Sequence, residues 1–273
     1  MKQMNTINRL SFIGFLLFSS VTAHGGCNFN TAEHLESLWT PNAINEIKIE
    51  IPKSAKWNRN FAETLTSKSE NIPPELKKSF KAKVYVLYDF GVCEMSASVK
   101  QNGDWKDHID FTEGGLPLRS LNVKVDNGNV LNAVKFKLLL PETRNNLNEV
   151  LGSVILRELG FIAPETFQVN VNVNGVSSMM LFQEDAQKEL LERNYRREGP
   201  IFEGDESLLW SFEDFDLFEL YDLSLAKLQN PKWFMKGESS ARITLAAYAR
   251  LQSSYINFTN SESSSGYNLF PNS

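Results

Sequence analysis

Lys135 and Lys137 sit two residues apart in the run K-F-K-L-L-L. A strand turns alternate side chains to opposite faces, so both ammonium groups share one face while Phe136 and Leu138 share the other. Two cations on one sheet face can neutralise phosphate oxygens, as a strand lysine does in phosphoryl transfer. The plainer reading, a solvated face of an amphipathic strand, stands beside it. Glu149 follows on a helical segment, where it can pair with one of the lysines. Gln183 and Glu184 close a later strand. Asn102-Gly103 marks a turn; bare glycine backbone can approach a phosphate closely, but an ordinary hairpin turn explains the spacing better, and Asp104 and Asp107 beside it disfavour a phosphate. Between Gly199 and Ala226 no Lys or Arg occurs, while acids accumulate. Among them Asp205, Asp214 and Asp216 are candidates for Mg²⁺, which takes oxygen ligands; a solvent-facing acidic surface explains them equally.

These residues need elements to position them. Lys81 to Tyr88 and Met95 to Lys100 alternate as strands, as does Ile47 to Ile51 before Pro52. Leu121 to Val125 and Val130 to Leu140 flank Asp126-Asn127-Gly128-Asn129 and form a hairpin. Asn146 is placed to cap a helix, with Glu149 as its box partner. Its apolar stripe, Leu147, Val150, Leu151, Val154, Ile155 and Leu159, is expected to pack on the sheet, and Gly160 ends the helix. Phe167 to Phe182 alternates on both sides of Asn174-Gly175, the two-residue turn that demands positive φ. Met180 and Phe182 are expected either in the core or along a ligand pocket. Asp185 is expected to cap a helix over Ala186 to Arg196, and Ala241 to Leu251 reads as a last helix.

The chain has 273 residues and a formal net charge of −5. Its pI near 5.4 argues against a nucleic-acid-binding surface. Lys2 and Arg9, the apolar run Leu10 to Phe18 and Val21-Thr22-Ala23 together read as an export signal cleaved after Ala23. The run is too short to span a bilayer stably, so no transmembrane helix is expected after cleavage. Cys27 follows Gly25-Gly26, the end of a lipoprotein-like signal, but His24 stands where an aliphatic residue belongs, and a lipid anchor at Cys27 is the minor alternative. Cys27 and Cys93 are the only cysteines and suit either one disulfide or two buried thiols. His24, His34 and His108 do not cluster, so no His/Cys metal site is expected. Trp57, Trp105 and Trp233 share no spacing that would mark a carbohydrate surface.

The order of parts resembles the spore-coat CotH kinase-like family. The residues that carry the resemblance are F-K-L-L-L-P-E-T-R-N, the helix ending L-R-E-L-G-F-I-A-P, and the hairpin Q-V-N-V-N-V-N-G-V-S-S-M-M-L-F-Q-E. It implies an α+β fold: a kinase-like small lobe of antiparallel sheet plus helix, followed by a partial helical large lobe. The segments expected are a signal peptide (1–23), an N-terminal arm (24–80), a nucleotide-binding lobe (81–210), a partial helical lobe (211–256) and a flexible tail (257–273). It implies ATP and Mg²⁺ as cofactors, with Lys135, Lys137, Glu149, Gln183 and Glu184 at the nucleotide and a Ser-rich protein as acceptor. The family's metal-binding aspartates lie in its large lobe, whereas Asp222 is the last aspartate here. The expected protein is therefore an exported kinase homologue, periplasmic or extracellular, that binds nucleotide but stops short of those aspartates. The alternative is a non-catalytic exported envelope or surface protein that uses the fold to bind a partner.

Overall fold

The strand-forming runs close on themselves. A computed structural model describes residues 26–29, 38, 40–204 and 226–260. The strands, in chain order, are β1 (Gly26–Phe29), β2 (Ile44–Glu50), β3 (Phe80–Tyr88), β4 (Gly91–Gln101), β5 (Ile109–Phe111), β6 (Pro117–Arg119), β7 (Leu121–Val125), β8 (Lys135–Leu139), β9 (Thr166–Val173), β10 (Val176–Glu184), β11 (Phe202–Glu203) and β12 (Lys227–Leu228). Neighbours in the main sheet run β4-β3-β2-β9-β10-β8-β7, and β7 pairs back onto β4. The result is a closed seven-stranded barrel. All its pairings are antiparallel except β2 with β9.

This overturns the kinase-like expectation of a small lobe followed by a helical lobe. Two pairings between distant stretches cause the difference. β2, expected in an irregular arm, lies between β3 and β9, with Glu46 to Ile49 in parallel register to Asn170 to Val173. β4 is long enough to offer one edge twice. Its first half holds β1, and its second half, Ala97 to Gln101, holds β7 and shuts the sheet. Cys27 and Cys93 are cross-strand partners in the β1–β4 pair and form a disulfide, which settles the two readings left open for them.

Alternation fills the interior. Ile47 and Ile49, Val84 and Val86, Met95 and Ala97, Val123, Phe136, Leu138, Val169, Val171, Met180 and Phe182 all belong to one buried cluster. Barrels of this size are packed by side chains rather than left hollow. The Phe182 ring stacks 4.7 Å from Phe136 on one side and 4.7 Å from Phe167 on the other. The hairpin expected at Asn174-Gly175 is present, with φ of 49° and 91°. Asn174 also fastens the turn to the end of β2: Ile51 N donates to its Oδ1 at 2.7 Å, and its Nδ2 donates to Ile51 O at 3.3 Å.

The helices are α1 (Ser54–Thr66), α2 (Asn148–Glu158), α3 (Lys188–Arg193), α4 (Pro231–Phe234) and α5 (Glu238–Asn260). Trp57, Asn60, Phe61 and Thr64 make the buried face of α1, which closes one barrel mouth. There the Trp57 ring meets Phe80 edge-on at 5.2 Å, so Trp57 is no surface platform. α2 departs from expectation. Leu147 rather than Asn146 occupies its N-cap, Asn145 and Asn146 are left-handed, and no side chain caps it. Its one buried residue is Ser153, whose hydroxyl meets Thr166 Oγ1 at 3.0 Å. The apolar stripe faces outward, with Leu151 58% and Leu159 67% exposed. The barrel strands turn their apolar alternation inward, away from that stripe. α3 is shorter than the expected 186–196 helix, and Gln187, not Asp185, occupies its N-cap position, with no side-chain cap bond. α5 runs through Asn260, beyond both ends of the expected 241–251 helix and into the segment read as tail. No helix among the described residues is long and apolar enough to cross a membrane. The stretch read as an export signal, most of the acidic segment and the last part of the segment read as tail lie outside the described residues.

Candidate functional site

The hydrogen-bonded rungs of β4, β7, β8 and β10 set out a polar surface on the outside of the barrel. Lys100 is the register partner of Asn122, Asn122 of Lys137, and Lys137 of Gln183. One rung along, Ser98, Lys124 and Lys135 align in the same way. Each of these residues has the outward parity opposite to Leu138 and Phe136, so the barrel's closure creates the row. A cleft of about 490 Å³ lies over it, walled by the 100–108 loop and by Glu203, Gly204, Lys227 and Gln229.

Within the cleft Lys135 and Lys137 converge on Asp185, whose side chain is only 1% exposed. Lys135 forms the close ion pair and Lys137 stands 3.7 Å from the other oxygen. Asp185 also accepts from Gln187 Nε2 at 3.1 Å and from Gln229 Nε2 at 3.3 Å. Its backbone N–H donates to Lys135 O at 3.0 Å, extending the β8–β10 ladder by one residue. A buried carboxylate needs compensation of this kind. The two lysines selected from sequence are brought together, but an acid of the protein itself takes up much of their charge.

Gln183 and Glu149 lie at the edge of this surface and engage each other rather than the lysines. Gln183 Nε2 donates to Glu149 Oε2 at 3.1 Å, and Glu149 Oε1 stands 3.2 Å from Arg144 Nε. Glu184 is not part of the cleft. It sits at the barrel's end, where Oε2 accepts from Glu165 N at 3.1 Å and pairs with Arg193 Nη2 at 2.5 Å, tying α3 to β10. Burial pushes the Glu184 carboxyl above its ordinary value, against the pull of the Glu165 N–H and Arg193. Met180 and Phe182 are interior residues of the barrel.

The turn at Gly103 belongs to the cleft wall for a reason unrelated to phosphate. Gly103 has φ of +98°, and a Cβ there would stand 2.1 Å from His108 Cδ2. The glycine makes room for the imidazole, which burial holds as a weaker base than usual. Asp104 pairs with Lys77 at the cleft's rim, and Lys227 stands 3.5 Å from Glu203.

Three polar groups in this wall are left over. The Gln101 side-chain amide, His108 Nδ1 and Arg144 Nε are buried without a hydrogen-bond partner. Arg144 Nε is near Glu149 but is not aligned with it. Lys100 has no ion-pair partner among the described residues. In all, six basic and four acidic side chains line the cleft. Sequence reading missed Lys77, Lys100, Asn122, Arg144 and Lys227. Lys100 and Asn122 both lie in stretches that read as strands, but only the β4–β7 and β7–β8 pairings place them beside Lys137.

A divalent metal does not fit the residues described. No three His, Cys, Asp or Glu side chains among them come together as a metal site. Asp185 and Asp104 are already compensated by lysines. Asp205, Asp214 and Asp216 lie outside the described residues. No protein-family model matches the chain, and no curated protein matches it at a significant level.

Proposed function

We propose that the chain is an exported binding protein whose outer polar cleft takes an anionic, hydrogen-bond-rich ligand, with phosphate-bearing molecules such as nucleotides the first class to test. The observation that carries this reading is the set of basic side chains lining the cleft around the unsatisfied Gln101 amide and His108 Nδ1. Buried polar groups without partners are uncommon, and a ligand that met them would recover the cost of their desolvation. Lys100, free of ion pairs among the described residues, supplies a cation at the entrance. The Cys27–Cys93 disulfide supports export, since such bonds persist in oxidising compartments.

Calorimetry with ATP, pyrophosphate and inorganic phosphate tests the proposal. The expected result is binding that weakens with salt, is indifferent to Mg²⁺ and drops several-fold in Lys100→Glu. Lys135→Ala is a poor probe because it uncovers Asp185. Absence of binding by all three ligands at low salt overturns the reading. A mature N-terminus other than His24, read by mass spectrometry, overturns the cleavage site.

A second reading, recognition of a protein partner, is favoured by the outward stripe of α2. Leu151, Leu159 and Phe161, which is 61% exposed, lie within eleven residues of one another and are all exposed. A photocrosslinker at Leu151 that captures one protein specifically, and loses it on Leu159→Glu, would favour that reading over a small ligand.

A further inference from the structure

Arg119 is the most unusual side chain in the molecule. It is 5% exposed, yet no carboxylate or hydrogen-bond acceptor among the described residues meets its guanidinium. Nη1 is fully buried and unsatisfied. The guanidinium carbon lies 3.8 Å from the centre of the Trp57 ring and 4.4 Å from that of Phe61. Both α1 rings are within cation–π distance of the group. Burial lowers its pKa to about 9, which still leaves it a cation at neutral pH.

Arg119 borders an internal pocket of about 280 Å³ at the barrel mouth under α1. Leu121 and Met180 reach it from the barrel interior, and Leu118 and Trp57 wall it. Asn174 and Val176, at the β9–β10 turn, form its rim. The pocket therefore joins apolar walls to Ser54, Asn58, Asn174 and Ser178 and to one unpaired cation, Arg119, and it shares no lining residue with the polar cleft. Ligand sites of small barrels sit in the mouth and combine apolar walls with a few convergent polar groups.

We propose that this pocket binds a small organic acid, its carboxylate on the Arg119 guanidinium and its apolar body between Met180, Leu121 and Trp57. The carboxylate is the anion that suits a planar fork beside two aromatic rings, since it accepts two parallel N–H bonds. A single cation beside apolar walls suits a monoanion better than a polyanion, whose further charges would meet no partner there. The volume equals about nine waters at about 30 Å³ each, which sets the ligand at about ten non-hydrogen atoms.

The test uses the full mature protein with octanoate, and with octanol as a probe of equal length and no charge. Calorimetry at pH 7 should show octanoate binding at least tenfold tighter than octanol. Arg119→Met should abolish that preference. Met180→Trp, which fills the pocket and leaves Arg119 in place, should abolish both. Lys100→Glu should change neither, which separates this site from the cleft. The proposal is overturned if wild type binds neither probe or binds both equally. It is overturned too if octanoate affinity survives Arg119→Met or Met180→Trp.

Discussion

The outer cleft and the inner pocket treat charge in opposite ways. Around the cleft, Asp185 is surrounded by Lys135, Lys137, Gln187 and Gln229, and Asp104 by Lys77. In the pocket one guanidinium is buried against two aromatic rings with no counter-ion among the described residues. The cleft's buried charge is an intramolecular solution, complete before any ligand arrives. The pocket's charge is an open valence. A pair of lysines at strand spacing drew attention in the sequence, yet much of their field is spent within the fold, whereas an arginine in an unremarkable P-L-R-S carries the clearest unmet demand. Basic residues thus mark a site by what they lack in the folded state, not by how they are spaced in the chain.

The largest test of that contrast is Asp185→Asn. It removes the acid that two lysines and two amides converge on, and should cost about 3 kcal/mol in urea unfolding, the low end for breaking a buried pair because both lysines keep some solvent. Little change would mean that the cleft's pairing is not what holds this region. Gly103→Ala comes next. Its Cβ meets the His108 ring at a left-handed backbone, so about 2 kcal/mol should be lost through overpacking and strain together. Gly175→Ala, at the pocket rim, shares the positive φ but has open space around it, and should cost only about 1 kcal/mol. Equal losses at the two glycines would show that the crowding by His108 is not real.

A smaller effect is expected from pH. Burial lowers the His108 pKa below its ordinary 6.5, so the native state holds fewer protons than the unfolded one. Its contribution is therefore full above about pH 6.5 and is lost as pH falls through the folded value. Glu184 acts in the opposite sense, since its raised carboxyl favours the native state on acidification. The difference between wild type and His108→Gln isolates the histidine: the variant should lose less stability than wild type between pH 6.5 and 5. The smallest change should come from Arg119→Met without ligand, under about 1 kcal/mol, because removing an uncompensated buried cation offsets the lost stacking. A loss like that of Asp185→Asn would make Arg119 a structural group and close the gap between the two regions.

Local features of the fold were legible and long-range ones were not. Asn174-Gly175 announces its hairpin because few residue pairs accept positive φ twice. The alternation of β3, β7 and β9 is equally plain. Nothing local records that Ile47 will lie beside Val171, or Val99 beside Val123, and these pairings turn a sheet into a barrel. The α2 stripe misled for a physical reason: helical spacing reports an apolar face, not that the face is covered. Trp57, Asn60, Phe61 and Thr64 show the reverse case, a helical spacing within a stretch that otherwise reads as an irregular arm. For the cleft, the facing of Lys135 and Lys137 followed from strand parity, while Asp185 as their partner required the β8–β10 register. Arg119 had no signal at all, because its meaning lies in the absence of a neighbour.

The parallel seam between β2 and β9 also fixes when the barrel can exist. Glu46 has no partner on that side until Asn170 is available. On a ribosome adding roughly 5–20 residues per second, that is a wait on the order of ten seconds. β2, β3 and β4 can form a meander in the meantime, but it has open edges and little to bury. A chain whose closure depends on its later half stays threadable while it is being made. For the exported protein proposed above, such lateness keeps the path through a translocation channel open until the far side is reached.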